Sequence, residues 1–166
     1  METFDTILFY VFALGAIGSA LVVIGQRNPT YSAFGLIVTL GSLSGIFGLL
    51  GSPFIAVLQV VVYAGAIMVL FLFVIMLLNV RREDHERGRG RAFKGVAVLL
   101  ALMLALEMGA VVLRSGLAPP PATFDASTRT MATVLFSGPY LYVFEATSIL
   151  ILAALVGAVV LAKKDL

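Results

Sequence analysis

The sequence predicts an all-α, polytopic membrane protein with five transmembrane helices, the N-terminus outside and the C-terminus cytoplasmic. Three observations predict it. Of 166 residues, 61% are hydrophobic and only 12% charged, where a soluble domain carries roughly a quarter charged residues. Several apolar stretches reach the ~20 residues that cross a bilayer. The charges cluster, mostly between Arg81 and Lys94 and in the last few residues.

The spans follow in order, within a single membrane domain covering residues 1–166. The first runs from about Thr6 to Ile24 and ends at Gly25-Gln26-Arg27. Asn28-Pro29 reads as an N-cap followed by proline at the first helical position, which starts a second span over about 30–50. Gly51-Ser52-Pro53 breaks it. The third span covers about 54–78, the fourth 93–113 and the fifth 140–161.

Orientation comes from the basic residues. Five spans put the termini on opposite sides, and with the N-terminus outside every Lys and Arg except Arg114 and Arg129 falls on the inner side. The positive-inside rule selects that arrangement. The inner loop 79–92, containing "RREDHERGRGR", then reads as a solvated, orientation-setting segment, with His85 an ordinary surface histidine. The outer loop 114–139 includes Pro119-Pro120-Pro121 and many small polar residues, and is expected to be partly extended and to lie over a neighbour. The start, Met1-Glu2-Thr3-Phe4-Asp5, is acidic where a signal peptide is basic. The first apolar stretch therefore reads as a retained helix.

Much chemistry is excluded. There is no cysteine, hence no disulfide, thiolate metal site or Fe–S ligation by this chain. No Gly-rich phosphate loop, His pair, nucleophile-and-base arrangement or metal-ligand cluster is present. On its own the chain has no catalytic site, binds no metal or cofactor, and has no nucleic-acid signature, since its net charge of +2 comes from residues flanking the spans.

Small residues recur at a spacing that lets helices approach in lipid. Gly41 and Gly45, Ser44 and Gly48, and Ala153 and Gly157 are each four apart, while Gly15 and Gly18 lie three apart. Such faces mark helix contacts, within the chain and with other subunits.

Polar residues inside the spans are few: Gln59, Tyr63, Glu107, Glu145 and scattered Ser and Thr. Intramembrane acids are costly and rarely face lipid. At ~1.5 Å per residue, Gln59, Glu107 and Glu145 each lie roughly 8–9 Å from the outer end of their span. One polar layer in the outer half of the membrane would hold all three, with Glu145 the stronger candidate for a hydrated route and Glu107 the weaker.

The third span carries the most specific pattern. In "QVVVYAGAIMVLFLFVIMLLN", Gln59 and Tyr63 share a helical face, Gly65 and Met68 lie on another side, and Phe71 falls between. Gly65 lowers the cost of distorting the backbone. One extra residue inserted as a π-bulge near Tyr63–Gly65 would rotate everything downstream by roughly 100°. Met68 and Phe71 would then enter or leave whatever Gln59 and Tyr63 face, and bulky apolar groups dewet a narrow passage. Tight packing around Gly65 explains the same residues, so the pattern alone leaves both readings open.

That stretch resembles the third helix of the subunit J family of bacterial NADH-quinone oxidoreductase, respiratory complex I. The resemblance rests on Tyr63-Ala64-Gly65-Ala66-Ile67 followed by Leu70-Phe71, on Arg27-Asn28-Pro29 followed by Ala33, and on Phe144-Glu145-Ala146 with Ser148. It implies a non-catalytic, multi-pass membrane-arm subunit of a proton-translocating NADH:quinone oxidoreductase in the bacterial cytoplasmic (inner) membrane. The other membrane-arm subunits would be its partners, and FMN, Fe–S clusters and the quinone would reside in partner subunits. It further implies a π-bulge in the third helix that forms or relaxes as the helix turns, with Gln59, Tyr63, Gly65, Met68 and Phe71 as the coupling and gating candidates. Some members place glutamate where this chain has Gln59; a glutamine bonds to water or a neighbour but does not titrate.

Three other readings compete. A related complex with a different electron donor, such as ferredoxin, would use a similar subunit. An independent small transporter or channel is opposed by the odd number of spans and the lack of an inverted repeat or paired broken helices. A pure membrane scaffold would tolerate substitution at Tyr63, Gly65 and Met68.

Overall fold

A computed structural model describes residues 2–78, 90–114 and 125–163. Among the described residues all regular structure is helical: α1 (Glu2–Gly25), α2 (Pro29–Leu49), α3 (Pro53–Leu58), a π-helix (Gln59–Ile67), α4 (Met68–Leu78), α5 (Gly90–Arg114), α6 (Thr128–Leu135) and α7 (Tyr140–Ala162). Five helical stretches are long and apolar enough to cross a membrane: Thr3–Gly25, Pro29–Leu49, Pro53–Leu78, Gly95–Arg114 and Tyr140–Ala162. The chain is a multi-pass membrane protein. The basic loop with His85, the triple proline and Lys164 lie outside the described residues.

The breaks between spans have local causes. Asn28 caps α2 by accepting a 3.0 Å bond from the Thr30 N–H on its side-chain oxygen, and Pro29 opens the helix where its missing N–H costs nothing. At the other end Gly51 takes φ +75°. There the Ser52 N–H reaches the Phe47 carbonyl at 3.0 Å and the Gly51 N–H reaches Gly48 at 3.2 Å. This is a complete Schellman closure, and Pro53 then starts α3. Helix α1 begins four residues earlier than the hydropathy suggests, and Asp5 in its first turns suits the positive end of a helix dipole.

The described chain forms two compact units. In one, α1 and α2 pair antiparallel, α2 packs on α3 and on the π-helix, and α6 touches both α3 and α7. The other contains α5. Close approach in the α1–α2 pair depends on glycine at two points: a Cβ on Gly45 would stand 2.7 Å from ring carbons of Phe12, and one on Gly35 3.0 Å from Val23 Cγ2. Hydroxyls fasten the same seam. Ser19 and Thr39 lie 2.8 Å apart, one donating to the other, and the Ser32 hydroxyl donates to the Val23 carbonyl at 2.8 Å.

Other glycines expected at contacts are open: a side chain on Gly18, Gly41 or Gly157 would meet nothing within 4 Å. Their spacing marks faces that no described residue approaches within 4 Å of an added Cβ.

The outer loop departs from expectation. Residues 114–139 were read as partly extended, yet Thr128–Leu135 is a helix. Its start is a local polar network. Asp125 accepts from the Ser127 N–H at 2.9 Å and from the Ser127 and Thr130 hydroxyls, both at 2.8 Å. Ala126 within it is buried. Helix α6 also rests on α3 of its own chain, where a neighbour was anticipated. Gly138, at φ +61°, turns the chain into α7. The corner is closed by an edge-on pair of Phe136 and Phe144, 4.8 Å between ring centres.

Candidate functional site

The third span is a composite. Six α-helical residues lead into nine π-helical ones, Gln59–Ile67, and α-helix resumes at Met68. π-Helix is rare and usually limited to a single turn, commonly at functional sites. The sequence reading anticipated a bulge near Tyr63–Met68; the π segment begins earlier, at Gln59, and closes at Ile67.

The register change is visible at both ends. The Gln59 N–H bonds to the Ile55 and Ala56 carbonyls, an α-helical reach. The Met68 N–H instead bonds to Gly65 and to Tyr63, five residues back. The helix that leaves the segment is therefore set one residue late relative to the helix that enters it, about 100° of rotation.

Gly65 sits where a side chain would press on the widened turn. A Cβ there would stand 3.2 Å from the Val60 carbonyl oxygen, five residues earlier. That is the carbonyl towards which i→i+5 pairing directs the Gly65 N–H. Glycine at 65 leaves that carbonyl free of a side-chain contact.

The candidate residues sort by exposure. Met68 is 4% exposed and is the only large buried side chain of the span. Gln59 and Gly65 are half-buried. Tyr63 and Phe71 are exposed, at 51% and 46%. The late register has thus turned Met68 inward and left Phe71 and Tyr63 outward.

Helix α2 supports the entrance to the π segment, and sequence reasoning missed how. Ser44 is the only buried polar residue among those described. Its hydroxyl donates to the Ala56 carbonyl at 2.7 Å, three residues before the π-helix starts. The spacing of Ser44 and Gly48 signalled a contact face but not a hydrogen bond to the backbone of the third span.

The acids lie on separate helices. Glu145 lies exposed on α7, a helix that touches α6 among the described elements and does not reach the π segment. Glu107 is exposed on α5, in the other unit. The chain does not by itself bring Glu145 to Gln59, and a polar layer joining them is not formed within the first unit. One carboxylate outside the spans is perturbed: the Ser127 hydroxyl, the Thr130 hydroxyl and the Ser127 N–H hold Asp125 below its ordinary value of 3.8.

The comparisons with known proteins agree with the geometry. A family model described as NADH-ubiquinone/plastoquinone oxidoreductase chain 6 matches residues 19–161. The chain is 41% identical to NADH-quinone oxidoreductase subunit J of Pseudomonas aeruginosa, over 95% of this chain and 96% of the relative. It is 39% identical to subunit J of Escherichia coli K12, over 90% and 82%. It is 40% identical to NAD(P)H-quinone oxidoreductase chain 6 of a Synechocystis species, over 99% and 84%. With a match that runs from within the first span to within the last, the chain belongs to the NADH-ubiquinone/plastoquinone oxidoreductase chain 6 family.

Proposed function

We propose that this chain is a non-catalytic membrane subunit of a proton-translocating NADH:quinone oxidoreductase, and that its third span couples quinone reduction to proton pumping. The observation that carries the reading is the nine-residue π-helix Gln59–Ile67 in a span that needs only apolar residues to cross the bilayer.

The mechanism is a change of register. In the π form Met68 is buried and Phe71 faces out. Relaxation to continuous α-helix would turn everything from Met68 onward by about 100° relative to Gln59. That exchange moves bulky apolar groups into or out of the space beside Gln59 and Tyr63, and so dewets or opens it to water. Gln59 orients water or bonds to a neighbour; it does not carry the proton. Titrating acids along the route come mainly from neighbouring subunits, with Glu145 on α7 the best placed in this chain to meet them.

In this reading FMN, Fe–S clusters and the quinone belong to partner subunits, and this chain binds none. Its partners are the other membrane-arm subunits and the lipid bilayer of the bacterial cytoplasmic membrane, and the distribution of basic residues supports an N-terminus outside. The apolar, exposed surface of α7 supports a place among other helices. The chain never meets the electron donor, in keeping with near-equal identity to relatives named for NADH and for NAD(P)H.

The test is isolation from native membranes in mild detergent through a C-terminal tag, then a native gel stained for NADH dehydrogenase and partner identification by mass spectrometry. Co-migration with a very large NADH-oxidising assembly is the expected result. A large assembly without NADH activity would move the reading to a relative with another donor. A small homogeneous species without redox partners would overturn it.

A further inference from the structure

We propose that Ser44 is a positioning residue that fixes where the third span passes from α- to π-helix; this rests on the coupling role given above to that span. A carbonyl oxygen has two lone pairs. The Ala56 carbonyl accepts from the Ser44 hydroxyl as well as from the Gln59 N–H. The Ser44 bond is side chain to backbone, from a neighbouring helix, and buried. In lipid no water replaces it when it is lost.

The consequence is directional. The entrance of the π segment is tied to α2, and α2 is itself fastened along α1 by Phe12 on Gly45 and by the Ser19–Thr39 hydroxyl pair. Met68, at the exit, bonds within its own helix to Tyr63 and Gly65. A register slip therefore begins at the Met68 end and runs towards Gln59, while the turn around Ala56 stays fixed. Without the Ser44 hydroxyl the entrance is released, and the π segment wanders along the span and ceases to switch between two registers.

Threonine and valine at position 44 have the same shape and differ in the hydroxyl alone, which separates the bond from the packing. Gly48→Ala serves as a packing control on the same face, since the added Cβ would make only an ordinary 4.0 Å contact with Ala56. The measurement is hydrogen–deuterium exchange over residues 53–68 in the purified assembly, alongside coupled turnover. Expected are exchange about fivefold faster and slowed coupled turnover in Ser44→Ala and Ser44→Val, the effect of losing one hydrogen bond. Ser44→Thr and Gly48→Ala are expected to match the wild type. Equal behaviour of the threonine and valine variants, or wild-type exchange in Ser44→Ala, would overturn the inference. If the tagged chain enters no NADH-oxidising assembly, the functional reading fails on its own account. The threonine–valine contrast in exchange then still decides whether Ser44 holds the junction.

Discussion

Phe12 lays the edge of its ring on the backbone of Gly45, so closely that a Cβ on Gly45 would fall 2.7 Å from two of the ring carbons. The contact joins α1 to α2, the helix on which the third span rests. Gly45→Ala forces the ring aside and is expected to destabilise the helix pair by about 1–3 kcal/mol. Phe12→Leu in the Gly45→Ala background should recover part of that loss, because the smaller side chain leaves room. Thermal dissociation of the purified assembly, measured for both single variants and the double, checks the coupling. Additive effects would contradict it.

Gly51 closes α2 in a backbone conformation that L residues rarely adopt, φ +75°. Gly51→Ala is expected to cost roughly 1–2 kcal/mol and to lower the yield of assembled complex. Gly51→Asn, which tolerates this region better, should cost less. The ordering of the two yields on a native gel is the check.

The start of α6 depends on an ionised Asp125. Its folded pKa is depressed by the Ser127 and Thr130 hydroxyls and the Ser127 N–H. The stabilisation is therefore fully present above the unfolded value of about 3.8 and is lost as pH falls through the lowered folded value. Proteolytic cleavage near residues 125–135 should stay flat from neutral pH down to the ordinary carboxylate range and rise only below it. Asp125→Ala should be cleaved readily at every pH.

Glu145 is exposed on α7 and remote from the π segment within this chain. Glu145→Gln is expected to assemble normally and to lower coupled turnover less than a bulky residue at position 65 does. Loss of pumping in Glu145→Gln with full activity in Gly65→Val would reverse the two roles.

The spans and their breaks were legible because their causes are local. Asn28-Pro29 and Gly51-Ser52-Pro53 restrict the backbone wherever they occur, and the structure uses both as helix boundaries. Helix α6 was missed because it is short and lies beyond a proline run. Asp125 and Ser127, followed by apolar Met131, Val134 and Leu135 at helical spacing, are the signal that would have found it. Small-residue spacing could not say which glycines meet a partner: Gly45 does, while Gly41, on the same helix, faces nothing. The π segment was legible as a weak point at Gly65. Its extent was not, because its entrance is set by Ser44, a residue of another helix.

In the coupling role proposed for the third span, Gly65 is the residue at which one substitution bears on the π register. A side chain there presses on the Val60 carbonyl of the π turn, 3.2 Å from the added Cβ, which must give by a few tenths of an ångström. The decisive measurement is the proton yield per electron pair and the coupled rate in reconstituted, fully assembled Gly65→Ala and Gly65→Val complexes. The account predicts intact assembly with coupled turnover falling from Gly to Ala to Val. Wild-type quinone reduction and wild-type proton pumping in the assembled Gly65→Val complex would contradict it.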